Sequence, residues 1–375
     1  MEFVATCLFG LEGLVGEEIE SLGYKRLETI DGRVRFEAEA DAAAACNINL
    51  RYAERLFVLI GAFKAQSFED LFEGTYALPF GDFIGKYDQF PVKGHSIRSI
   101  LFSITDCQRI IKKAVVKKLS DKYKTAVFEE TGTKYQIEFF ILNDNVSVMI
   151  DTSGAGLHKR GYRELSGIAP LRETLAAAMV KLSRPRENVI ICDPMCGSGT
   201  IAIEAALYVT NTAPGLYRRF AGEELSFIPK DCWSREREAA AGRITAPITS
   251  VFGSDKDKGV LAVARENAAK AGVGDCICFY EGDARGFDSP VAGARGTVIT
   301  NPPYGERMGD IGESRSLYKD FGIRLKESVP NWQIYLITND IEFEKYFGRK
   351  ADKKRVLYNG MKKCALYQFF KKPDR

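Results

Sequence analysis

The chain after residue 188 alternates short apolar runs with segments that have the pattern of helices. The apolar runs lie at 189–193, 251–255, 276–280, 297–300 and 333–338. The helical segments lie at 199–209, 258–271 and 314–327. Strands that alternate with helices form βαβ units, whose strands run parallel to one another. The pattern therefore predicts an α/β, Rossmann-like domain with a mostly parallel sheet.

Two further extended runs, at 355–358 and 364–370, close this half of the chain. They are joined at Asn359-Gly360, a dipeptide that favours a tight turn between antiparallel strands. One of these strands must therefore run against the others. We expect a seven-stranded sheet that is mostly parallel and has a terminal antiparallel strand.

The first 155 residues have a different, α+β pattern. Up to residue 63, strands are predicted at 3–9, 33–37 and 53–63, with helices at 11–22 and 42–46, the second capped by Asp41. This order resembles a small ferredoxin-like unit. From residue 64 to 155, helices are predicted near 67–72 and at 105–120, and strands near 96–100, 135–142 and 145–150. The last two strands meet at Asn143-Asp144, which predicts a hairpin.

The charges are concentrated in two segments. The whole chain carries 53 basic and 50 acidic residues, for a formal net charge of +3, yet residues 107–124 hold seven basic side chains against Asp121 alone. The last 31 residues hold eleven basic side chains against Asp352 and Asp374. Such segments favour a polyanionic partner. The alternative for each segment is a solvated helix face.

Other classes of protein fit the sequence poorly. The longest apolar run, 56–63, is far shorter than the roughly 18 residues of a membrane span. No basic segment precedes an apolar stretch at the N-terminus, so we expect no secretory signal and a cytoplasmic protein. The nine cysteines include no Cys-x-x-Cys pair, and His95 and His158 lie far apart. We therefore expect reduced thiols and no metal site.

The strand at 189–193 leads into a turn of small residues that opens a helix. The turn contains Asp193, Pro194, Cys196, Gly197, Ser198 and Gly199. Glycines allow the backbone to turn sharply and approach a ligand, and the N–H groups of the helix start face that ligand. The turn lacks the third glycine of a dinucleotide fingerprint. By itself it could equally be an ordinary strand-to-helix connection.

Acidic residues end the next two strands. Asp255 suits a carboxylate that accepts hydrogen bonds from both ribose hydroxyls, and Asp283 could accept from an adenine amine. Asp255 lies much further from Asp193 than is usual, so residues 211–248 are predicted to form an insertion. Either acid alone is more often a helix cap. Together with Asp193 they mark the carboxyl edge of the sheet, where open α/β sheets bind ligands.

The fourth strand ends in Asn301-Pro302-Pro303-Tyr304, the most specific signal in the chain. Asn-Pro and Pro-Pro are strong turn formers, so a plain turn is the alternative. The side-chain oxygen of Asn301 and the carbonyl of Pro302 can accept both hydrogens of a planar exocyclic amine. The two prolines stiffen the loop, and Tyr304 offers a ring for base stacking. The motif therefore predicts a site that binds and orients an amine of a nucleobase.

With these sites in register, the chain resembles the class I S-adenosylmethionine-dependent methyltransferases of the Asn-Pro-Pro-Tyr type. More closely, it resembles the THUMP-containing RNA guanine-N2 methyltransferases. The resemblance extends over the chain and rests most clearly on residues 157–163, 169–173, 193–199, 213–219, 253–255 and 301–307. It implies a ferredoxin-like domain at 1–63, a THUMP RNA-binding domain at 64–155 and a methyltransferase domain at 156–375.

The resemblance also implies roles for the site residues. S-adenosylmethionine would lie with its methionine part against Gly197 and Gly199, its ammonium near Asp193, its ribose on Asp255 and its adenine on Asp283. Asn301 and Pro302 would bind the amine that receives the methyl group. Phosphate contacts would come from two basic sets: Arg109, Lys112, Lys113, Lys117 and Lys118, and then Lys159, Arg160 and Arg163.

The substrate that the resemblance favours is a guanine N2 amine in 23S rRNA. A tRNA guanine and the N6 amine of adenine in RNA or DNA are the alternatives of the same chemistry. A non-catalytic RNA-binding or ribosome-assembly module is the alternative of a different class. We expect a monomer, with a dimer as the alternative.

Overall fold

The computed structural model describes residues 1–163, 171–304 and 310–370. The chain forms two compact units. The first comprises residues 1–6, 15–157 and 219–238, and the second comprises residues 7–14, 158–218 and 239–375. The motif residues Ala169, Pro170, Gly305, Glu306 and Arg307 lie outside the described residues.

The strands of the first unit form one seven-stranded sheet in the order β2-β3-β1-β4-β7-β6-β5. These strands are β1 (Glu2–Cys7), β2 (Lys25–Ile30), β3 (Arg33–Glu37), β4 (Ala53–Lys64), β5 (Val92–Ile97), β6 (Ile137–Leu142) and β7 (Asn145–Asp151). The helices of this stretch are α1 (Glu12–Ser21), α2 (Ala42–Asn49), α3 (Phe68–Ala77), α4 (Phe80–Phe83) and α5 (Ile104–Tyr123). The long strand β4 pairs antiparallel with β7 and so joins the strands of residues 1–63 and 64–155 in one sheet.

Local sequence signals account for most of this unit. Asn143 and Asp144 both have positive φ, as a tight hairpin turn requires, so the predicted β6–β7 hairpin is confirmed. Strand β2 was not predicted, because it is an edge strand with charged residues and an exposed surface that leaves no apolar alternation. The predicted cap of α2 is wrong: the side chain of Asp41 makes no capping hydrogen bond.

The second unit contains the predicted mostly parallel sheet, in the order β10-β9-β8-β11-β12-β14-β13. Its strands are β8 (Val189–Asp193), β9 (Val251–Asp255), β10 (Ile277–Glu281), β11 (Arg295–Thr300), β12 (Gln333–Thr338), β13 (Lys353–Asn359) and β14 (Lys362–Phe369). The helices of this half of the chain are α6 (Glu173–Ser183), α7 (Thr200–Val209), α8 (Asp231–Gly242), α9 (Lys258–Lys270), α10 (Asp310–Ser328) and α11 (Phe343–Phe347). The α/β fold class is confirmed.

The reversed strand, however, does not lie at the edge of the sheet. Strand β14 is antiparallel to both β12 and β13, and β13 occupies the outer position. The burial of the two strands gives the reason. The last four residues of β14 are all buried, whereas β13 begins with the exposed Lys353 and Lys354. The apolar strand takes the inner position, and the charged strand protects the edge.

The predicted insertion between α7 and β9 exists, and its middle part, residues 219–238, belongs to the first unit. The hydroxyl groups of Tyr135 and Ser226 lie 2.9 Å apart, and the ring of Phe227 packs edge-on against Phe83. The insertion accounts for the long separation of Asp193 and Asp255 in the sequence. Those two residues nevertheless end neighbouring strands, since Asp193 pairs with Gly253 in the register of β8 and β9.

Candidate active site

The four motifs of the sequence meet at the carboxyl edge of the second sheet. Asp193 ends β8, Asp255 ends β9, Asp283 follows β10 and Asn301 follows β11. In the sheet, β9 and then β10 lie on one side of β8, and β11 and then β12 lie on its other side. The point between β8 and β11 is thus the topological switch point, where an open α/β sheet leaves a crevice for ligands.

The turn after β8 is shaped by two glycines with positive φ, Gly197 at 52° and Gly199 at 84°. A Cβ atom at Gly197 would meet open space, which leaves room for a ligand in front of the turn. The turn is held to its neighbours: the N–H of Gly197 donates to Asp255 Oδ2 over 3.0 Å, and the side chain of Asn267 donates to the Ser198 carbonyl over 3.0 Å. These two hydrogen bonds hold the turn after β8 in place without a ligand.

Asp193 is buried beneath this turn. Its Oδ1 accepts a hydrogen bond of 2.8 Å from the hydroxyl of Thr300 and one of 3.3 Å from the N–H of Met195. Burial raises the pKa of Asp193 to about 7, against the opposing effect of those two donors. Because Thr300 is the last residue of β11, this bond ties the two strands together at the switch point.

Asp255 and Asp283 have partners of their own. The carboxylate of Asp255 accepts from the N–H groups of Gly197 and Asp257, and each of its oxygens keeps a second lone pair. Asp283 caps the short turn that follows it, accepting from the N–H of Arg285 over 2.8 Å. The capping alternative thus holds for Asp283, although its side chain also lines the cavity described next.

A cavity of about 240 Å³ opens at this edge. Its lining includes Pro194, Met195, Asp255, Asp283, Asn301 and Pro303. The open space at Gly197, the buried carboxylate of Asp193 and the free lone pairs of Asp255 match a ligand with an ammonium group and a ribose. The residues present therefore fit S-adenosylmethionine, and the Asn301–Tyr304 loop borders the same cavity.

The Asn301–Tyr304 loop is braced from two sides. The hydroxyl of Tyr304 donates to Asn301 Oδ1, which leaves one lone pair of that oxygen for another donor. The hydroxyl of Tyr318 donates to the Pro303 carbonyl over 2.7 Å, from a side chain that is 1% exposed. Tyr318 was missed in the sequence, since nothing local distinguishes it from the chain's fifteen other tyrosines.

Two of the predicted RNA contacts are excluded by burial. Arg160 is buried and pairs with Glu204 over 3.3 Å, and the half-buried Arg163, whose side chain is 8% exposed, pairs with Glu173 over 2.6 Å. A guanidinium that is already desolvated and paired cannot reach a phosphate, so we drop Arg160 and Arg163 from the proposed contacts. Lys159 stays exposed, with its backbone carbonyl accepting from Arg218.

The basic helix α5 lies in the first unit and divides into two kinds of side chain. Lys112 is half-buried, bonded to Glu130 over 2.6 Å and placed over the ring of Phe90. Lys117 is exposed to solvent and pairs with Asp121 over 2.8 Å at the surface of the helix. Lys113 and Lys118 lie over the rings of Phe72 and Tyr76, and the side chain of Arg109 is 76% exposed.

Within the described ranges, no helix is both long and apolar enough to span a membrane. Nor do the side chains in those ranges form a group of three or more His, Cys, Asp or Glu residues arranged to hold a metal ion.

Three family models match the chain. The RMKL-like methyltransferase domain matches residues 160–368, the RlmL ferredoxin-like domain matches residues 2–57, and the THUMP domain matches residues 65–151. The first of these alone covers more than half of the chain, and it contains every residue placed around the cavity.

Curated proteins and solved structures are similar to this chain over nearly all of its length. YpsC, a candidate RNA methyltransferase of Bacillus subtilis strain 168, is 42% identical over 98% of this chain and 96% of its own length. The ribosomal RNA large subunit methyltransferase K/L of Photobacterium profundum is 33% identical, and the chain spans about half of it, 52%. The structure of SMU.472, a candidate methyltransferase complexed with SAH, superposes with a TM-score of 0.92 at 38% identity and covers 100% of this chain and 99% of its own.

Proposed function

This chain belongs to the RMKL-like methyltransferase family and uses S-adenosylmethionine, and from that premise we propose that it methylates the N2 amine of a guanine in 23S rRNA. A THUMP domain precedes the methyltransferase domain and supports an RNA substrate. The K/L relative supports 23S rRNA, although this chain matches only half of that protein. The observation that carries the chemistry is the Asn301 loop on the cavity that also holds Asp255 and Asp283.

Three acids would hold the cofactor. Asp193 would receive its ammonium group, Asp255 its ribose hydroxyls and Asp283 its adenine amine. The bound cofactor supplies an electrophilic methyl group on a sulfonium. The turn at Gly197 and Gly199 would hold the methionine part of the cofactor, and the bond from the Gly197 N–H to Asp255 keeps that turn in place.

The Asn301 loop would hold the acceptor. A guanine amine cannot be reached within a base stack, so the nucleotide must be extruded into the cavity. The free lone pair of Asn301 Oδ1 and the Pro302 carbonyl would then accept the two amine hydrogens and aim the nitrogen lone pair at the methyl group. Holding both reactants in this near-attack geometry can contribute on the order of 7–11 kcal/mol of barrier reduction. The nitrogen loses a proton to solvent after the transfer, so no strong base is needed.

The loop chemistry does not by itself separate guanine N2 from adenine N6, because both are planar exocyclic amines. Labelled methyl transfer into bulk ribosomal RNA, transfer RNA and genomic DNA from cells that lack the gene would separate them, if followed by nucleoside identification. N2-methylguanosine in 23S rRNA supports the proposal. Label in a tRNA guanine, or as N6-methyladenosine, would show a substrate other than a guanine of 23S rRNA. No transfer into any RNA or DNA would support a non-catalytic RNA-binding protein. The same proposal places the enzyme in the cytoplasm, acting as a monomer.

Cofactor affinity is expected to depend on pH through Asp193. The free enzyme holds this carboxyl with a pKa of about 7, and the ammonium of SAH binds only the ionised form. Affinity should therefore approach a plateau by about pH 8 and fall as the pH drops below 7, approaching about tenfold per pH unit well below the pKa. Calorimetric titration of SAH between pH 5.5 and 8.5 measures this. Asp193→Asn should bind more weakly at every pH and show a flat profile, whereas a flat profile for the unaltered protein would refute the assignment.

RNA affinity is expected to depend on the exposed part of α5. Replacing Lys117 and Lys118 together by Glu should weaken binding to rRNA on the order of tenfold at moderate salt and reduce the salt dependence, because two phosphate contacts are lost. Filter binding at several salt concentrations measures both effects. The matched control replaces Lys319 and Lys326, two exposed lysines on α10, by Glu. Equal losses in the two double variants would show only a net-charge effect.

A further inference from the structure

The two most exposed large apolar side chains among the described residues lie at the same end of the second sheet. Met361 is 97% exposed and Ile341 is 92% exposed. Ile341 follows the carboxyl end of β12 by three residues, and Met361 lies in the turn between β13 and β14. Both therefore stand at the edge that carries the Asn301 loop.

The strand register places Met361 above that edge. Ala365 of β14 pairs with Thr338, the last residue of β12, so the strand continues three residues past β12 to Lys362. At about 3.4 Å per residue, the turn projects roughly 10 Å beyond the sheet. Strand β14 lies two positions from β11, which sets the turn roughly 10 Å to one side of the Asn301 loop.

The turn that carries Met361 is held in place. The ring of Tyr358 packs edge-on against Phe9, with centroids 5.7 Å apart. The side-chain oxygen of Asn359 accepts from the N–H of Arg172 over 3.2 Å, and Gly360 takes the positive φ of 65° that the turn needs. The tip therefore projects as a supported element.

The loop that carries Ile341 is held as firmly. Both oxygens of Asp340 accept from the guanidinium of Arg315, at 3.0 and 3.2 Å. The carbonyl of Asp340 accepts from the hydroxyl of Tyr367 over 3.3 Å. Ile341 follows Asp340 on this fixed backbone, and its side chain is 92% exposed, so it is accessible to a partner.

The surroundings indicate the chemistry of the partner. Lys362 and Lys363 follow Met361 directly and are exposed, so the apolar tip is flanked by positive charge. An apolar side chain followed directly by two exposed cations suits a nucleic acid strand, whose bases are flat and apolar and whose backbone is anionic. Nucleic-acid-binding proteins insert apolar side chains, Met and Ile among them, between base steps and partially unstack them. A nucleotide extruded into the cavity must first leave such a stack.

We propose that Met361 and Ile341 enter the RNA stack beside the target nucleotide and keep its neighbouring bases apart while that nucleotide occupies the cavity. This inference rests on the proposed function. It adds that the preferred substrate is an RNA whose target base is paired or stacked. The side chains of Met361 and Ile341 then lower the free energy needed to open the stack. They do not touch the cofactor or the reacting amine.

The test compares Met361→Ser, Ile341→Ser and the double variant with the unaltered protein. Transcripts spanning the methylated nucleotide are made in two forms, one with the target in a duplex and one as a short single strand in which the target is neither paired nor held in a stack. The double variant should lose roughly ten- to a hundredfold in kcat/KM on the paired form, since unstacking costs a few kcal/mol per step. On the single-stranded form the double variant should match the unaltered protein, and its SAH affinity should equal that of the unaltered protein.

Val291→Ser is the matched control, since Val291 is an exposed apolar residue in the loop before β11, at the opposite edge of the sheet. It should methylate both transcripts at the unaltered rate. Equal rates of the double variant and the unaltered protein on the paired transcript would overturn the proposal and leave the methyltransferase activity standing. An equal loss on both transcripts would overturn it as well. If the unaltered protein methylates no RNA, both the proposed function and this inference fall.

Discussion

Asn301→Ala is expected to lower kcat by on the order of 10²–10³-fold, the loss typical of removing one positioned polar group from a reacting centre. Affinity for SAH should stay nearly unchanged. The reason is the position of Asn301: it follows β11 and borders the cavity, whereas the turn and acids proposed to hold the cofactor follow β8, β9 and β10. Single-turnover methyl transfer and calorimetric binding of SAH measure the two quantities separately.

Tyr304→Phe is the matched control for this experiment. It keeps the ring next to Asn301 and removes only the hydroxyl that donates to Asn301 Oδ1. Its rate should fall much less than that of Asn301→Ala, because the amide oxygen remains. A loss of SAH affinity as the main defect of Asn301→Ala would contradict the assignment of this residue to the acceptor side.

Asp255→Ala is expected to do the reverse, weakening SAH binding by roughly ten- to a hundredfold. Hydrogen bonds to a charged group contribute about 1.5–3 kcal/mol each, and the proposed ribose contact depends on this carboxylate. The substitution also removes the acceptor of the Gly197 N–H, so the glycine turn loses its brace. At saturating cofactor, the rate of methyl transfer should recover most of its value. Calorimetry and rate measurements over a range of cofactor concentrations test both statements.

Asp255→Asn separates the two effects of that carboxylate. An amide oxygen can still accept from Gly197, so the turn stays braced, but one of the two acceptors for a ribose diol is lost. Its SAH affinity should lie between those of Asp255→Ala and the unaltered protein. If Asp255→Ala bound SAH normally and failed only in methyl transfer, the assignment of Asp255 to the cofactor ribose would be wrong. Asp255 would then act on the acceptor side of the site.

Much of the second unit could be predicted from the sequence because its signals are local. The bounds of β8, β9 and β12 coincide with the predicted runs, since buried parallel strands are apolar along their whole length and end at polar residues. The hairpin turns were marked by residues that tolerate positive φ. Helix α6 was missed because nine of its eleven residues are buried, including three consecutive alanines, so its buried positions do not form a narrow stripe.

The charged residues were harder to interpret. A sequence of lysines and arginines is compatible with a phosphate site and with a buried ion pair alike, because the long side chain can adopt either arrangement. Arg163 is the clearest instance: its partner Glu173 lies ten residues away, and only the packed structure brings them within 2.6 Å. The same holds for Lys112 and Glu130, which meet across 18 residues.

The sequence by itself determined the α/β class, the order of the strands along the chain and the identity of the motif at each strand end. Those properties depend on residues that are neighbours in the chain. Only the tertiary structure decided that Tyr318 holds the Pro303 carbonyl, that β14 lies inside β13, and that residues 219–238 join the first unit. Each of these depends on contacts between residues far apart in sequence. Such contacts form only when the chain folds and its apolar surfaces are buried against one another.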